Sequence, residues 1–245
     1  MRTKVALGAW SIVLLVSACA APTAPTARDA PPAPGWGVAG SPGPAVAGTG
    51  ALDLTRRSTT DPGSTWVVVN KSHPLPAGFR PELGLVRGYQ VALPAVGPLT
   101  RLLDDGDARG LGFKIASAFR SFGYQEQLYA GIVSRSGRAA ADRVSARPGH
   151  SEHQTGLAVD LVTPADPSCD LDPCFAGTPG GRWLARAAWR HGFVVRYQPG
   201  TEAITGYRAE PWHLRYVGRP VVAELHRTGV ATLEELFGVP GGGYR

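Results

Sequence analysis

Lysine is nearly missing from this chain: Lys4, Lys71 and Lys114 are the only three among 245 residues. Basic character therefore rests on arginine, and no Lys/Arg-rich block or nucleic-acid recognition motif is present. The net charge of +6 and sequence pI of about 9.5 do not by themselves imply a nucleic-acid partner. Cysteine is scarce as well, with Cys19, Cys169 and Cys174 too few and too scattered for a thiolate metal centre. No apolar run reaches the roughly 20 residues that a membrane-spanning helix needs. There is no Gly-X-Y period, which excludes a collagen-like rod, and no internal repeat. At 43% hydrophobic and 18% charged, the composition is too apolar for wholesale disorder. What the chain has in excess is glycine (32) and proline (22).

Much of the proline is concentrated near the N-terminus. Arg2 and Lys4 precede an apolar run over residues 5–16, followed by Val16-Ser17-Ala18-Cys19. A charged start, a short apolar stretch and small residues before a cysteine predict an export signal over residues 1–18. A cysteine in that place resembles a bacterial lipobox, which implies lipidation at Cys19 and a protein held at the outer face of the cell membrane. Loss of the signal removes Arg2 and Lys4 and lowers the charge from +6 to +4. Residues 19–64 carry Pro22, Pro25, Pro31, Pro32, Pro34, Pro42, Pro44 and Pro62 among Ala, Gly, Thr and Ser. They show no period that could bury a face and read as a disordered tether. The Gly241-Gly242-Gly243 run predicts a flexible tail over residues 239–245.

Between these lies one globular domain, residues 65–238. Helical spacing is expected over 99–108, 124–133, 182–191, 221–226 and 233–237, with Gly192 closing the third of these. Strands are expected over 114–119, 157–162, 193–197 and 212–217. Helices and short strands mix without a regular βαβ rhythm, which predicts an α+β fold. Cys169 and Cys174, in a Pro/Asp-rich loop of an exported protein, are expected to form a local disulfide.

Two short stretches carry chemistry. The first is Ser151-Glu152-His153-Gln154-Thr155-Gly156-Leu157-Ala158-Val159-Asp160, and the second is Glu210-Pro211-Trp212-His213. His153, Asp160 and His213 make a His/Asp/His set suited to zinc, which in catalytic sites takes three protein ligands and keeps one position open. Glu210, three residues before His213, is close enough to act as a base beside the metal. Gly156 and Ala158 are small and expected to let backbone and substrate approach it. His150 is set aside as a ligand, because neighbouring residues on extended chain point apart.

These residues resemble the VanY-like zinc D-alanyl-D-alanine carboxypeptidases, whose pattern is S-x-H-x-x-G-x-A-x-D followed by E-P-W-H. The resemblance extends over residues 66–218, through Val68-Val69-Asn70-Lys71, Ser117-Ala118-Phe119-Arg120-Ser121, Tyr124-Gln125 and Phe193-Val194-Val195-Arg196-Tyr197. It implies a small α+β domain whose central antiparallel sheet, flanked by helices, carries zinc on His153, Asp160 and His213. It further implies Glu210 as the acid–base group, Arg120 as the group that stabilises the oxyanion, and Gln125 and Ser151 near the substrate. The implied activity is release of the last D-Ala from a peptidoglycan stem peptide by a monomeric enzyme with no nucleic-acid partner. A related zinc endopeptidase, dipeptidase or L,D-carboxypeptidase shares the same residues. A non-catalytic peptidoglycan-binding lipoprotein would not require Glu210 and Arg120.

Overall fold

The structure, a computed structural model, describes residues 51–244. The expected signal, the lipidation site Cys19 and the tether up to residue 50 lie outside the described residues.

A four-stranded antiparallel sheet organises the domain. It contains β3 (Lys114–Ser117), β4 (Ala158–Val162), β5 (Phe193–Tyr197) and β6 (Glu210–Tyr216) in the order β3-β4-β6-β5. Before it come a hairpin of β1 (Leu83–Val86) and β2 (Tyr89–Ala92) and the helix α1 (Leu93–Asp107). The period of two along each strand sorts the sheet into two faces of opposite chemistry. Val159, Leu161, Phe193 and Leu214 enter a core built with Leu99, Leu102 and Leu103 of α1 and with Phe113, Phe175 and Leu184. Asp160, Arg196, His213 and Arg215 occupy alternate positions, and all four are buried.

Helix α1 begins six residues earlier than its expected start and accommodates Pro98 in its interior. Ala95, Leu99, Leu102, Leu103 and Gly106 form its buried stripe, and this packing outweighs the proline's local cost. Helix α2 (Phe122–Ser136) is capped by Ser121, whose hydroxyl accepts from the Tyr124 amide. Then follow α3 (Arg138–Val144), α4 (Pro179–Ala187), α5 (Glu202–Thr205), α6 (Arg219–Thr228) and α7 (Leu233–Phe237). Gly192 is left-handed (φ 84°) and ends the helical segment 188–191, as expected. The β1–β2 hairpin, α3 and the single-turn α5 are additions that the sequence reading did not contain. Cys169 and Cys174 are disulfide-bonded. Among the described residues, no helix is long and apolar enough to cross a membrane.

Both expected flanks are shorter than the sequence reading places them. Leu52 and Leu54, assigned to the tether, pack on a second core cluster formed by Trp66, Val68, Val221, Val222, Leu225 and Leu233. The Leu52 amide also donates to Glu224, and the Val68 amide to the Thr59 carbonyl at 2.9 Å. The expected flexible tail is docked: Val239 joins the same cluster, and the Gly242 amide donates to Ile204 O at 2.8 Å. Its glycines serve close approach, since a Cβ on Gly241 would lie 1.9 Å from Ile204 O. Tyr244 ends the described chain with its hydroxyl accepting from the Arg147 amide at 3.0 Å.

Candidate metal centre and active site

The β4–β6 ladder places Asp160 directly opposite His213. Directly paired residues on one face bring their side chains together, and Asp160 Oδ1 lies 3.0 Å from His213 Nδ1. His153 arrives from the short 3₁₀ turn Glu152–Thr155 that precedes β4. Its Nε2 stands 3.2 Å from Asp160 Oδ2. Donor atoms of His153, Asp160 and His213 all fall within 4.8 Å of one another. The three expected ligands thus converge although His213 is 53 residues from Asp160.

Local chain geometry makes the turn that carries His153. Gly156 closes it at φ 67°, a left-handed conformation that favours glycine. A Cβ there would also meet the Ala92 amide nitrogen at 2.8 Å. Gly156 therefore seats the β1–β2 hairpin, and its expected role of opening space at the metal is corrected. The chain after β3 holds the ring in place. Ala118 O accepts from His153 Nδ1 at 2.7 Å, and the Arg120 amide donates to His153 O at 3.1 Å. With Nδ1 donating its hydrogen, Nε2 keeps the lone pair that faces the other donors.

His213 is oriented by a residue the sequence reading did not single out. Glu152 Oε2 lies 3.2 Å from His213 Nε2. Its Oε1 accepts from Arg196 Nε at 2.9 Å and from Arg215 Nη1 at 2.8 Å. Arg196 also binds Glu234 in a fork, at 2.9 and 2.7 Å. All four charged side chains are buried, and the charges balance. The available signal was an arginine flanked by apolar and aromatic residues inside each of two strands, in Val195-Arg196-Tyr197 and Leu214-Arg215-Tyr216. Tyr197 packs beside the His213 ring at 5.0 Å between centroids.

Burial and partners set the protonation of this cluster in opposite directions. Burial works against ionisation of Asp160, but the His153 and His213 imidazoles outweigh it and hold the carboxyl well below its usual range. Burial likewise opposes the Glu152 charge, and Arg196 and Arg215 overcome it. Burial alone would lower His213, yet hydrogen bonds to Asp160 and Glu152 push it up to about 10. Burial lowers His153, which favours the neutral ring. Glu210 is pushed up to about 7, chiefly by burial with Asp160 adding to it, while His213 and Arg120 pull the other way. Its carboxylate stands 3.7 Å from His213 Nδ1 and remains 30% exposed.

A cavity of about 300 Å³ opens onto these groups. Arg120, Ser151, Glu210 and Trp212 line it together with the three candidate ligands. Arg120 Nη2 donates to Ser151 Oγ at 3.3 Å, while its buried Nε has no partner. Ser151 Oγ also accepts from the His153 amide. Gln125 is placed differently from the expectation. It is buried, does not line the cavity, and donates to Ser145 Oγ at 3.1 Å and Ala146 O at 2.7 Å. Its span reaches the loop behind the rim, so it braces Ser145 and Ala146, which do line the cavity. His150 turns away, with Nδ1 donating to Asn70 O at 3.0 Å.

Two imidazole nitrogens and a carboxylate of this spacing, beside an open cavity, fit a divalent cation of the zinc type. His213 Nδ1 and Asp160 Oδ1, 3.0 Å apart, are the atoms that such a cation would share. Comparison with known proteins identifies the chain's relatives. The family model for VanY, D-alanyl-D-alanine carboxypeptidase, matches residues 90–219. The putative carboxypeptidase YodJ of Bacillus subtilis is 32% identical over 188 residues, covering 72% of this chain and 68% of that protein. The structure of the LdcB LD-carboxypeptidase superposes with a TM-score of 0.66 at 31% identity, covering 74% of this chain and 89% of that one. A mutant of the vancomycin-resistance D,D-pentapeptidase VanY in complex with Zn(II) superposes with a TM-score of 0.59 at 32% identity, covering 69% and 96%. The chain belongs to the VanY family of D-alanyl-D-alanine carboxypeptidases.

Proposed function

We propose that this enzyme is a zinc-dependent D,D-carboxypeptidase that releases the terminal D-Ala from peptidoglycan stem peptides ending in D-Ala-D-Ala. The observation that carries the reading is the convergence of His153, Asp160 and His213 at one end of a cavity that Glu210 and Arg120 also line. The Zn(II) complex of the related VanY supports the choice of metal. His153 through Nε2, Asp160 through its carboxylate and His213 through Nδ1 would hold the ion. When bound, zinc supplies Lewis-acid polarisation of the scissile carbonyl and of water.

The chain's own groups do the rest. Glu210 takes the proton of the attacking water and delivers it to the departing amine of D-Ala. A carboxylate buried on one side and open to the cavity on the other suits that exchange. Arg120 faces the same space and would stabilise the negative charge that develops on the carbonyl oxygen. Ser151 holds Arg120 and the His153 turn together, and Gln125 supports the rim from behind. All these groups lie on one chain, which supports a monomeric enzyme. Residues 1–19 support export and a lipid anchor at Cys19, placing the domain at the outer face of the membrane with the wall polymer as its partner.

Incubation of the zinc-loaded protein with a stem pentapeptide is expected to yield free D-Ala, and a chelator should abolish release until zinc is restored. Glu210→Gln should lower turnover by about 10²–10⁴-fold while zinc stays bound. A protein with stoichiometric zinc that releases no D-Ala would overturn the proposal. An L,D-carboxypeptidase is the second reading, favoured by the likeness to LdcB. Mass analysis of products from tetra- and pentapeptide substrates separates the two.

A further inference from the structure

The cavity that holds the reacting groups has an uneven distribution of charge. Its three acidic lining residues, Glu152, Asp160 and Glu210, all belong to the metal cluster. Two further lining residues, Arg143 and Arg208, are exposed. Neither makes a salt bridge within 4.0 Å among the described residues, and no acid of the lining is left over to pair with them. Arg147, on the chain just after α3, instead binds Asp142 through two contacts of 3.0 and 2.8 Å.

The backbone that presents both groups is anchored. Arg143 lies on α3, next to Asp142, which receives Tyr129 Oη at 2.7 Å as well as Arg147. Lys71 Nζ donates to the Asp142 carbonyl at 3.0 Å. Arg208 follows Tyr207, whose hydroxyl donates to His150 O at 2.8 Å. Two guanidinium groups without a salt-bridge partner among the described residues, on tied-down chain and lining one cavity, suit a carboxylate.

We propose that Arg143 and Arg208 form a carboxylate subsite, which makes the enzyme prefer stem peptides whose third side chain carries a carboxylate over those that carry an ammonium alone. The proposal rests on the reading of the site as a stem-peptide carboxypeptidase. In a peptide ending in D-alanines, the third residue is the nearest to the scissile bond with a side chain longer than a methyl group. At about 3.3 Å per extended residue it lies within roughly 7 Å of that bond, on the acyl side. A diaminopimelyl side chain ends in a carboxylate beside its ammonium, and a lysyl side chain in an ammonium alone. The terminal carboxylate of the substrate is a different group, joined to the leaving amine on the other side of the scissile bond.

The test uses matched peptides that differ only at the third residue: diaminopimelyl, norleucyl and lysyl. The ratio of kcat/KM between the first and last is expected to be about fivefold or more at low salt, the yield of one or two exposed charge pairs. Raising the ionic strength should shrink it. The double variant Arg143→Ala/Arg208→Ala should bring the ratio close to one. A ratio that is flat in the parent, or unchanged in the double variant, overturns the subsite. A second arm compares acid and amide C-termini. If the double variant loses that discrimination instead, the two arginines bind the terminal carboxylate and the proposal fails. Binding of the same peptides to zinc-loaded Glu210→Gln, followed by calorimetry, reads the preference without any bond being cut. An absence of D-Ala release alongside a retained binding preference would remove the proposed reaction and leave the subsite standing. A release without preference would do the reverse.

Discussion

Glu152 touches His213, Arg196 and Arg215 at once, and so couples the metal cluster to the buried ion network behind it. Glu152→Gln leaves two buried arginines short of one counter-charge, a change expected to cost about 3 kcal/mol of stability. It also removes the carboxylate that fixes the His213 ring, so zinc affinity should fall by about 10–100-fold. Urea unfolding and competition with a chromophoric chelator measure the two effects, and an unaltered zinc affinity would refute the orienting role. His213 itself predicts a pH effect. In the metal-free protein its pKa is raised to about 10, so at neutral pH the ring is an imidazolium. Zinc needs the unprotonated nitrogen, so binding at pH 7–9 should release a proton from His213 and tighten about tenfold per pH unit in this range. Calorimetry in buffers of different ionisation enthalpy would detect that proton, and its absence would sink the assignment. Where no metal is present the sign reverses: the stability His213 lends is complete below about pH 6.5 and declines as pH rises through about 10.

At the scale of elements, the strands that carry the site were legible because their alternation is strict. Val159 and Leu161 alternate with Asp160, and Leu214 with His213 and Arg215, so one face is apolar and the other is not. The hairpin escaped because Leu83-Gly84-Leu85-Val86 has no alternating polar residue, and Arg87 adopts φ 49° in its turn. Helix α3 is only seven residues long, too short for a periodic signal. The packed flanks escaped for another reason. Leu52, Leu54 and Val239 are isolated apolar residues among Pro, Gly and Ser or Thr, and only the cluster around Val221 and Leu225 gives them a partner. A chain starting at Ala51 should therefore be more stable than one starting at Thr65, by about 1–3 kcal/mol for the two leucines. Equal denaturation midpoints for the two would show that this packing contributes nothing.

For the whole molecule, the proposed plan of anchor, tether and enzyme makes position part of function. Replacement of Cys19 with Ser should release the protein from the membrane fraction and abolish labelling by radioactive palmitate, with no loss of activity in the soluble form. Unchanged membrane retention would remove the anchor. Sequence alone pointed to the chemistry: the residues expected as metal ligands, the carboxylate expected as the base, and the mixing of helices and strands without a βαβ rhythm. These follow from residue type and short-range spacing, which a linear chain displays directly. Tertiary structure decided the electrostatics. The Glu152–Arg196–Arg215–Glu234 network joins residues up to 82 positions apart on four different segments. The placement of Gln125 behind the rim and of Arg143 and Arg208 along the cavity was decided by folding too. Whether a charge is buried with a partner or left facing a cavity depends on what surrounds it in space, and no local pattern encodes that.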